Sequence, residues 1–237
     1  MASRPALQLM IIPHRPVPSD DEINRDLAPA FEILQKVAGL RAIWRGEKFE
    51  DRYTQVALLL WDNLAASHAF FTGPAYAEFH KSVQPAMNGR HVEWQNHVLI
   101  DTSGEDTLEH LRNVLESPAI EVALTKVVEG GVSGYYSQFK KFVTGVLHND
   151  PGCDGFFISP LIENPQNQLL LINWKSVDVS TAENLLALHL LTSAKAHHEI
   201  FEKTPGFKVC IDALKEYYAV FVVPWHITEL KLANGGL

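Results

Sequence analysis

Apolar residues along this chain recur with two periods, about two for strands and about 3.6 for helices. Residues 7–12 form an apolar run that Pro13-His14-Arg15-Pro16 ends, which predicts a first strand. Ser19-Asp20-Asp21-Glu22 has the Ser-x-x-Glu form of a capping box. The helix it opens carries Ile23, Leu27, Ala30, Phe31, Leu34, Val37 and Ala38 on one face until Gly39. Strands follow at 40–45 and 53–61, then helical pieces at 64–71 and 76–83 around Gly73-Pro74, then a strand at 92–100. The order is β-α-β-β-α-β.

That order recurs. A strand at 120–128 meets Gly130-Gly131, and a helix then places Tyr135, Phe139, Phe142, Val143, Val146 and Leu147 on one face. Strands at 156–162 and 169–174 flank the turn Asn164-Pro165-Gln166-Asn167, before a helical region at 181–202 and a last strand at 217–223. Residues 107–116 read as a linking helix. Leu58 to Asn63 answers Leu171 to Ser176, with Trp61 and Trp174 in register, and Ser67 to Pro74 answers His197 to Pro205. Such a repeat decides the architecture. The second copy carries an extra segment, 177–193, whose leucines should bury against the barrel or a partner chain. The expected division is a first repeat over 1–104, a linking helix over 105–118 and a second repeat over 119–237.

One β-α-β-β-α-β unit makes an antiparallel four-stranded sheet with helices on one face. The opposite face still carries Val56, Leu58 and Leu60 and must also be buried. The expected fold is therefore α+β: two tandem ferredoxin-like repeats whose sheets close face to face into a barrel enclosing a ligand cavity.

Charge narrows the partners. The net charge of −8, with no basic stripe, argues against nucleic acid. No apolar stretch approaches the roughly 20 residues of a membrane span. Cys153 and Cys210 have no metal or redox spacing, so they read as free thiols in a reducing cytoplasm. The expected partner is a hydrophobic small molecule, with a homodimer as a further possibility.

Eleven histidines supply candidate proton carriers. His68, His197 and His198 fall at equivalent places in the two repeats, and at most one of the adjacent pair can point inward. Asn173, where the first repeat has Leu60, is either a cavity residue or a hydrogen-bonded core amide. His97 on the closing strand, and Arg41 and Arg45 on the second, are candidate substrate contacts. Trp61 and Trp174 read as helix–sheet core.

The stretch from Leu58 to Lys81, with Trp61, Phe70, Pro74, Tyr76 and His80, resembles the dimeric α+β barrel superfamily of the antibiotic-biosynthesis-monooxygenase type. Trp174, His197, His198, Pro205 and Phe207 carry the likeness in the second half, with Ile211 in place of His80. The resemblance implies a cofactor-independent enzyme acting on a hydrophobic, enolisable polyketide-like or aromatic intermediate by cyclisation, isomerisation, decarboxylation or oxygenation. His198, His197, Asn173, His80 and His68 are then the catalytic candidates. The alternatives are a haem-binding barrel with His80 or His198 as axial ligand, and a non-catalytic binding or stress-response barrel. Because fusion frees the two halves from enforced symmetry, they are expected to be unequal, with the second holding the active pocket.

Overall fold

The computed structural model describes residues 4–17, 19–87, 89–101, 108–117, 119–174, 201–220 and 222–234. The chain divides into two compact units, residues 1–108 with 231–237, and residues 109–230.

In the first unit, β1 (Ala6–Pro13) leads to α1 (Asp20–Leu34), β2 (Leu40–Lys48) and β3 (Asp51–Trp61). Helices α2 (Leu64–Thr72) and α3 (Pro74–Met87) and strand β4 (Glu93–Leu99) complete it. The strand order is β4-β1-β3-β2, all antiparallel. Ser19 caps α1 by accepting from the Glu22 N–H, as the capping box predicts. The helix ends at Leu34, and Val37 and Ala38 belong to the turn that Gly39 closes with φ +82°. A side chain at Gly39 would collide with Ala66, so glycine is required there.

The second unit opens with α4 (Leu108–Leu115) and β5 (Ala119–Val127). A long helix follows: α5 (Val132–Gln138), a π-helical turn (Phe139–Val143) and α6 (Thr144–Asn149). Then come β6 (Cys153–Pro160), β7 (Asn167–Trp174), α7 (Pro205–Leu214), the short β8 (Tyr218–Val220) and β9 (Trp225–Asn234), which belongs to this unit as far as Leu230. The order β9-β5-β7-β6 reproduces that of the first unit.

The correspondence extends to register. Leu40 pairs with Trp61, the ladder slips, and Ala42 pairs with Leu60. Cys153 pairs with Trp174, the ladder slips at the same place, and Gly155 pairs with Asn173. Ala6 faces Trp61 as Ala119 lies one position before the Ile120–Asn173 pair. In each unit alternate strand residues face the helices and form a core around Trp61 or Trp174. The opposite faces are buried as well, through Leu7, Leu58 and Leu60 in one unit and Ile120, Leu171 and Ile227 in the other.

One expected element is corrected. The predicted last strand at 217–223 is only the three-residue β8, and the main closing strand is β9. Pro224 separates them, because proline cannot donate to the ladder. The extra segment at 177–193 lies outside the described residues. No described helix is long and apolar enough to cross a membrane.

Candidate functional site

The helix-facing side of each sheet carries a polar side chain beneath its tryptophan. Trp61 donates its indole N–H to Gln8 Oε1 at 3.1 Å, and Trp174 donates to Glu121 Oε2 at 2.8 Å. The acceptor precedes its tryptophan by 53 positions in both cases. A histidine stands opposite each acceptor across the strand pair, His97 beside Gln8 and His226 beside Glu121. All six side chains are buried. The repeat has thus kept one constellation twice, but as an amide in the first unit and a carboxylate in the second.

The amide is enclosed by its own network. Gln8 also accepts from Ser67 Oγ at 3.5 Å and donates to the Gln95 carbonyl at 3.3 Å. Ser67 Oγ and His97 Nε2 are 2.7 Å apart, and the exposed His68 ring stands edge-on to His97 at 6.0 Å.

Glu121 borders a partly open cavity of about 80 Å³ between sheet and helices. Ala123 and Thr125 of β5 share its floor with Leu170 and Ile172 of β7. Tyr135, Phe139, Val143 and Leu147 form one wall, and Phe201, Phe207, Cys210 and Leu214 another. Tyr218 and Pro224 close one end. Four wall residues spaced by four would drift around an α-helix by roughly 40° per step. The wider π turn at Phe139–Val143, where the Thr144 N–H reaches the Phe139 carbonyl, takes up that drift.

Comparison of the repeats explains how the second unit makes room for this cavity. Where β1 places Met10 and Ile12 against the helices, β5 places Ala123 and Thr125. Phe70 stacks on Trp61 at 5.6 Å as Phe201 stacks on Trp174 at 5.3 Å, which aligns α3 with α7. That alignment sets Cys210 at the position of the buried Phe79. In the first unit Trp94 packs on Phe79 at 5.7 Å from β4; in the second, the corresponding strand is broken at Pro224. Smaller side chains and an interrupted strand leave the space.

Burial decides the protonation of the lining. The Tyr135 hydroxyl is pushed up strongly, chiefly by desolvation with Tyr218 and Tyr136 adding to it. Desolvation, with a Coulombic contribution from Cys210, raises Tyr218 to about 12, and desolvation raises the Cys210 thiol to about 11. At neutral pH these groups are hydrogen-bond donors, not anions.

Asn173 is 7% exposed and fully engaged: it accepts from Ser117 Oγ at 2.6 Å and donates to the Asn113 carbonyl at 3.0 Å, tying α4 to the sheet. Arg41 forms an exposed ion pair with Asp62. Arg45 lies over the Phe31 ring at 4.8 Å and donates to Gln55 at 3.1 Å. His80 is half-buried on α3 beside Tyr76, and none of these borders the cavity. His197 and His198 lie outside the described residues. Sequence reasoning missed Glu121, Gln8 and His226. The signal lay in the spacing of each acceptor from its tryptophan, which becomes visible once the two tryptophans are aligned.

No histidine is among the described residues that line this cavity, so His80, the described candidate for a haem ligand, does not face it. Among the described residues no three His, Cys, Asp or Glu side chains are grouped as a metal ion requires.

The sequence matches no family model and no curated protein. Its fold is similar to known crystal structures over the full length. A candidate monooxygenase from Fusobacterium nucleatum subsp. nucleatum superposes with a TM-score of 0.62 at 13% identity, covering 100% of this chain and 98% of that one. A candidate monooxygenase from Lactobacillus acidophilus gives 0.55 at 12% identity, covering 98% and 100%. An anthrone oxidase-like protein gives 0.60 at 9% identity, covering 99% and 95%. With the repeated strand order and the paired tryptophans, these likenesses give the chain the fold of the dimeric α+β barrel superfamily, carried as two ferredoxin-like repeats in one polypeptide.

Proposed function

We propose that this chain is a small-molecule enzyme that acts, without a cofactor, on a hydrophobic and enolisable aromatic or polyketide-like compound. The observation that carries the reading is Glu121, a buried carboxylate at an apolar cavity whose counterpart in the other repeat is an amide. A buried carboxylate is costly unless something is gained from it. Here Trp174 donates to one oxygen and so fixes the carboxylate at the border of the cavity.

Proton transfer to Glu121 would leave an enolate or phenolate. The hydroxyls of Tyr135 and Tyr218, kept protonated by burial, line the same cavity and would donate to that oxygen. The apolar walls exclude water and so strengthen each of these interactions. Cyclisation, isomerisation, decarboxylation and oxygenation can all proceed through such an anion. Oxygenation is favoured by the likeness to candidate monooxygenases and to an anthrone oxidase-like protein. Conversion of an acidic CH₂ to C=O by O₂ releases water and consumes no added reductant, so the protein need supply only the base, the donors and the dry pocket.

About 80 Å³ is small beside the ~300–1,000 Å³ of pockets that enclose a whole drug-sized ligand. The cavity suits one ring of a substrate whose remainder lies at the open side. Oxygen uptake with anthrone as the probe tests the reading. The parent consumes oxygen, and Glu121→Gln slows it by about 10²-fold or more, the usual contribution of a general base. Uptake by Glu121→Gln at the parent rate would overturn it.

A further inference from the structure

The first repeat shows what fills this cavity when it is closed. Phe79 is fully buried, its ring 6.1 Å from Phe70 and 5.7 Å from Trp94. The second repeat retains the helix side of those surroundings, though no counterpart of Trp94 stands among its described residues. Phe201 and Phe207 stand 5.6 Å apart at a steep angle, as Phe70 and Tyr76 do at 5.6 Å. Trp174 packs on Phe201 as Trp61 packs on Phe70. What is missing is the ring itself, with Cys210 at its position and Leu214 where Val83 stands, and the Trp94 side, where the strand breaks at Pro224. An aromatic wall without its central ring is a mould for one, since aromatic groups pack best edge-to-face at centroid separations of about 4.5–7 Å.

We propose that residue 210 is the specificity-determining position of the cavity, and that the ligand places an aromatic ring where the Phe79 ring sits in the first repeat. The assignment rests on the reading of this cavity as the substrate site. Met10 and Ile12 close the first repeat further, while Ala123 and Thr125 leave room beside the ring in the second. Glu121 lies on the same strand face as Ala123 and Thr125, so a hydroxyl or acidic carbon on the ring has the carboxylate at its edge. Cys210 contributes space and not a nucleophile, because burial keeps its thiol protonated at neutral pH.

Phenol is the probe, and calorimetric titration with melting curves the measurement. The parent binds one equivalent of phenol. Cys210→Phe restores the ring of the first repeat, weakens phenol binding tenfold or more, and melts no lower than the parent. Val209→Phe, which adds the same ring at a neighbouring exposed position, binds as the parent does. Phe79→Cys opens the counterpart space and adds a second equivalent. If Phe79→Cys does not fold, Cys210→Phe still decides. Phenol binding unchanged in Cys210→Phe, or absent from the parent, overturns the assignment. Failure here is distinguishable from failure of the proposed reaction. If Glu121→Gln keeps the parent's turnover while Cys210→Phe blocks phenol, only the reaction is wrong. If Glu121→Gln is inactive while Cys210→Phe binds phenol, only this assignment is wrong.

Discussion

Trp174 donates its indole N–H to the Glu121 carboxylate at 2.8 Å. Both groups are buried, so the bond joins a donor and an acceptor that water does not reach. Glu121→Gln preserves an acceptor, as Gln8 does beneath Trp61, and should change stability by less than about 1 kcal/mol. Glu121→Leu strands the indole N–H and should cost about 1–3 kcal/mol. Urea unfolding of the two variants checks this, and equal losses would show that the bond contributes nothing.

Asn173 should behave as a structural tie. Asn173→Leu, which installs the residue of the first repeat, removes the bonds to Ser117 Oγ and to the Asn113 carbonyl, and Ser117 keeps its bonds to Ala119. The expected loss is about 1–3 kcal/mol, with hydrogen exchange accelerated first in α4. Unchanged protection of α4 would contradict the role given to this amide.

Arg41 and Arg45 should differ in weight. Arg41→Ala breaks an exposed ion pair and should alter stability by less than about 1 kcal/mol. Arg45→Ala removes the packing of its stem and guanidinium on Phe31 together with the bond to Gln55, and should cost more. Thermal melts of both variants decide, and an equal or reversed order would count against the packing described.

Stability should fall in alkali, and through the second unit. Burial raises Cys153 and Cys210 from 9.0 to about 11 and Tyr218 from 10.0 to about 12. Below pH 9 these groups are neutral in both folded and unfolded chains, so their neutral burial carries no penalty. As pH rises past the unfolded values, the unfolded chain loses protons that the folded one retains. Stability should therefore decline from about pH 9 and keep falling to about pH 12. Urea midpoints between pH 8 and 11, with tyrosinate absorbance followed in parallel, measure the effect. A flat profile would refute the burial of these groups.

Much of the architecture was legible because its signals are local. The capping box at Ser19, the turns at Gly39 and Asn164-Pro165, and the two tryptophans each declare themselves within a few residues. The closing strand of the second repeat was misplaced because an apolar run at 217–223 reads as a better strand than β9, whose sequence mixes Thr228, Lys231 and Leu230. The cavity was illegible for another reason. Ala123, Thr125 and Cys210 look unremarkable singly, and matter only against Met10, Ile12 and Phe79 at the same places in the other repeat. Glu121 has no local mark of its place, which shows only in its burial beneath Trp174. Two of the favoured histidines, His197 and His198, fall outside the described residues.

On the proposed function, the second repeat does the chemistry through Glu121 while the first, with Gln8, does none. The direct measurement is oxygen uptake with anthrone by the parent, Glu121→Gln and Gln8→Glu, each confirmed as folded by circular dichroism. The account predicts that Glu121→Gln falls by about 10²-fold or more, while Gln8→Glu, whose new carboxylate sits under the filled core of the first repeat, turns over as the parent does. Parental uptake by Glu121→Gln, or a loss that follows Gln8→Glu instead, would contradict it.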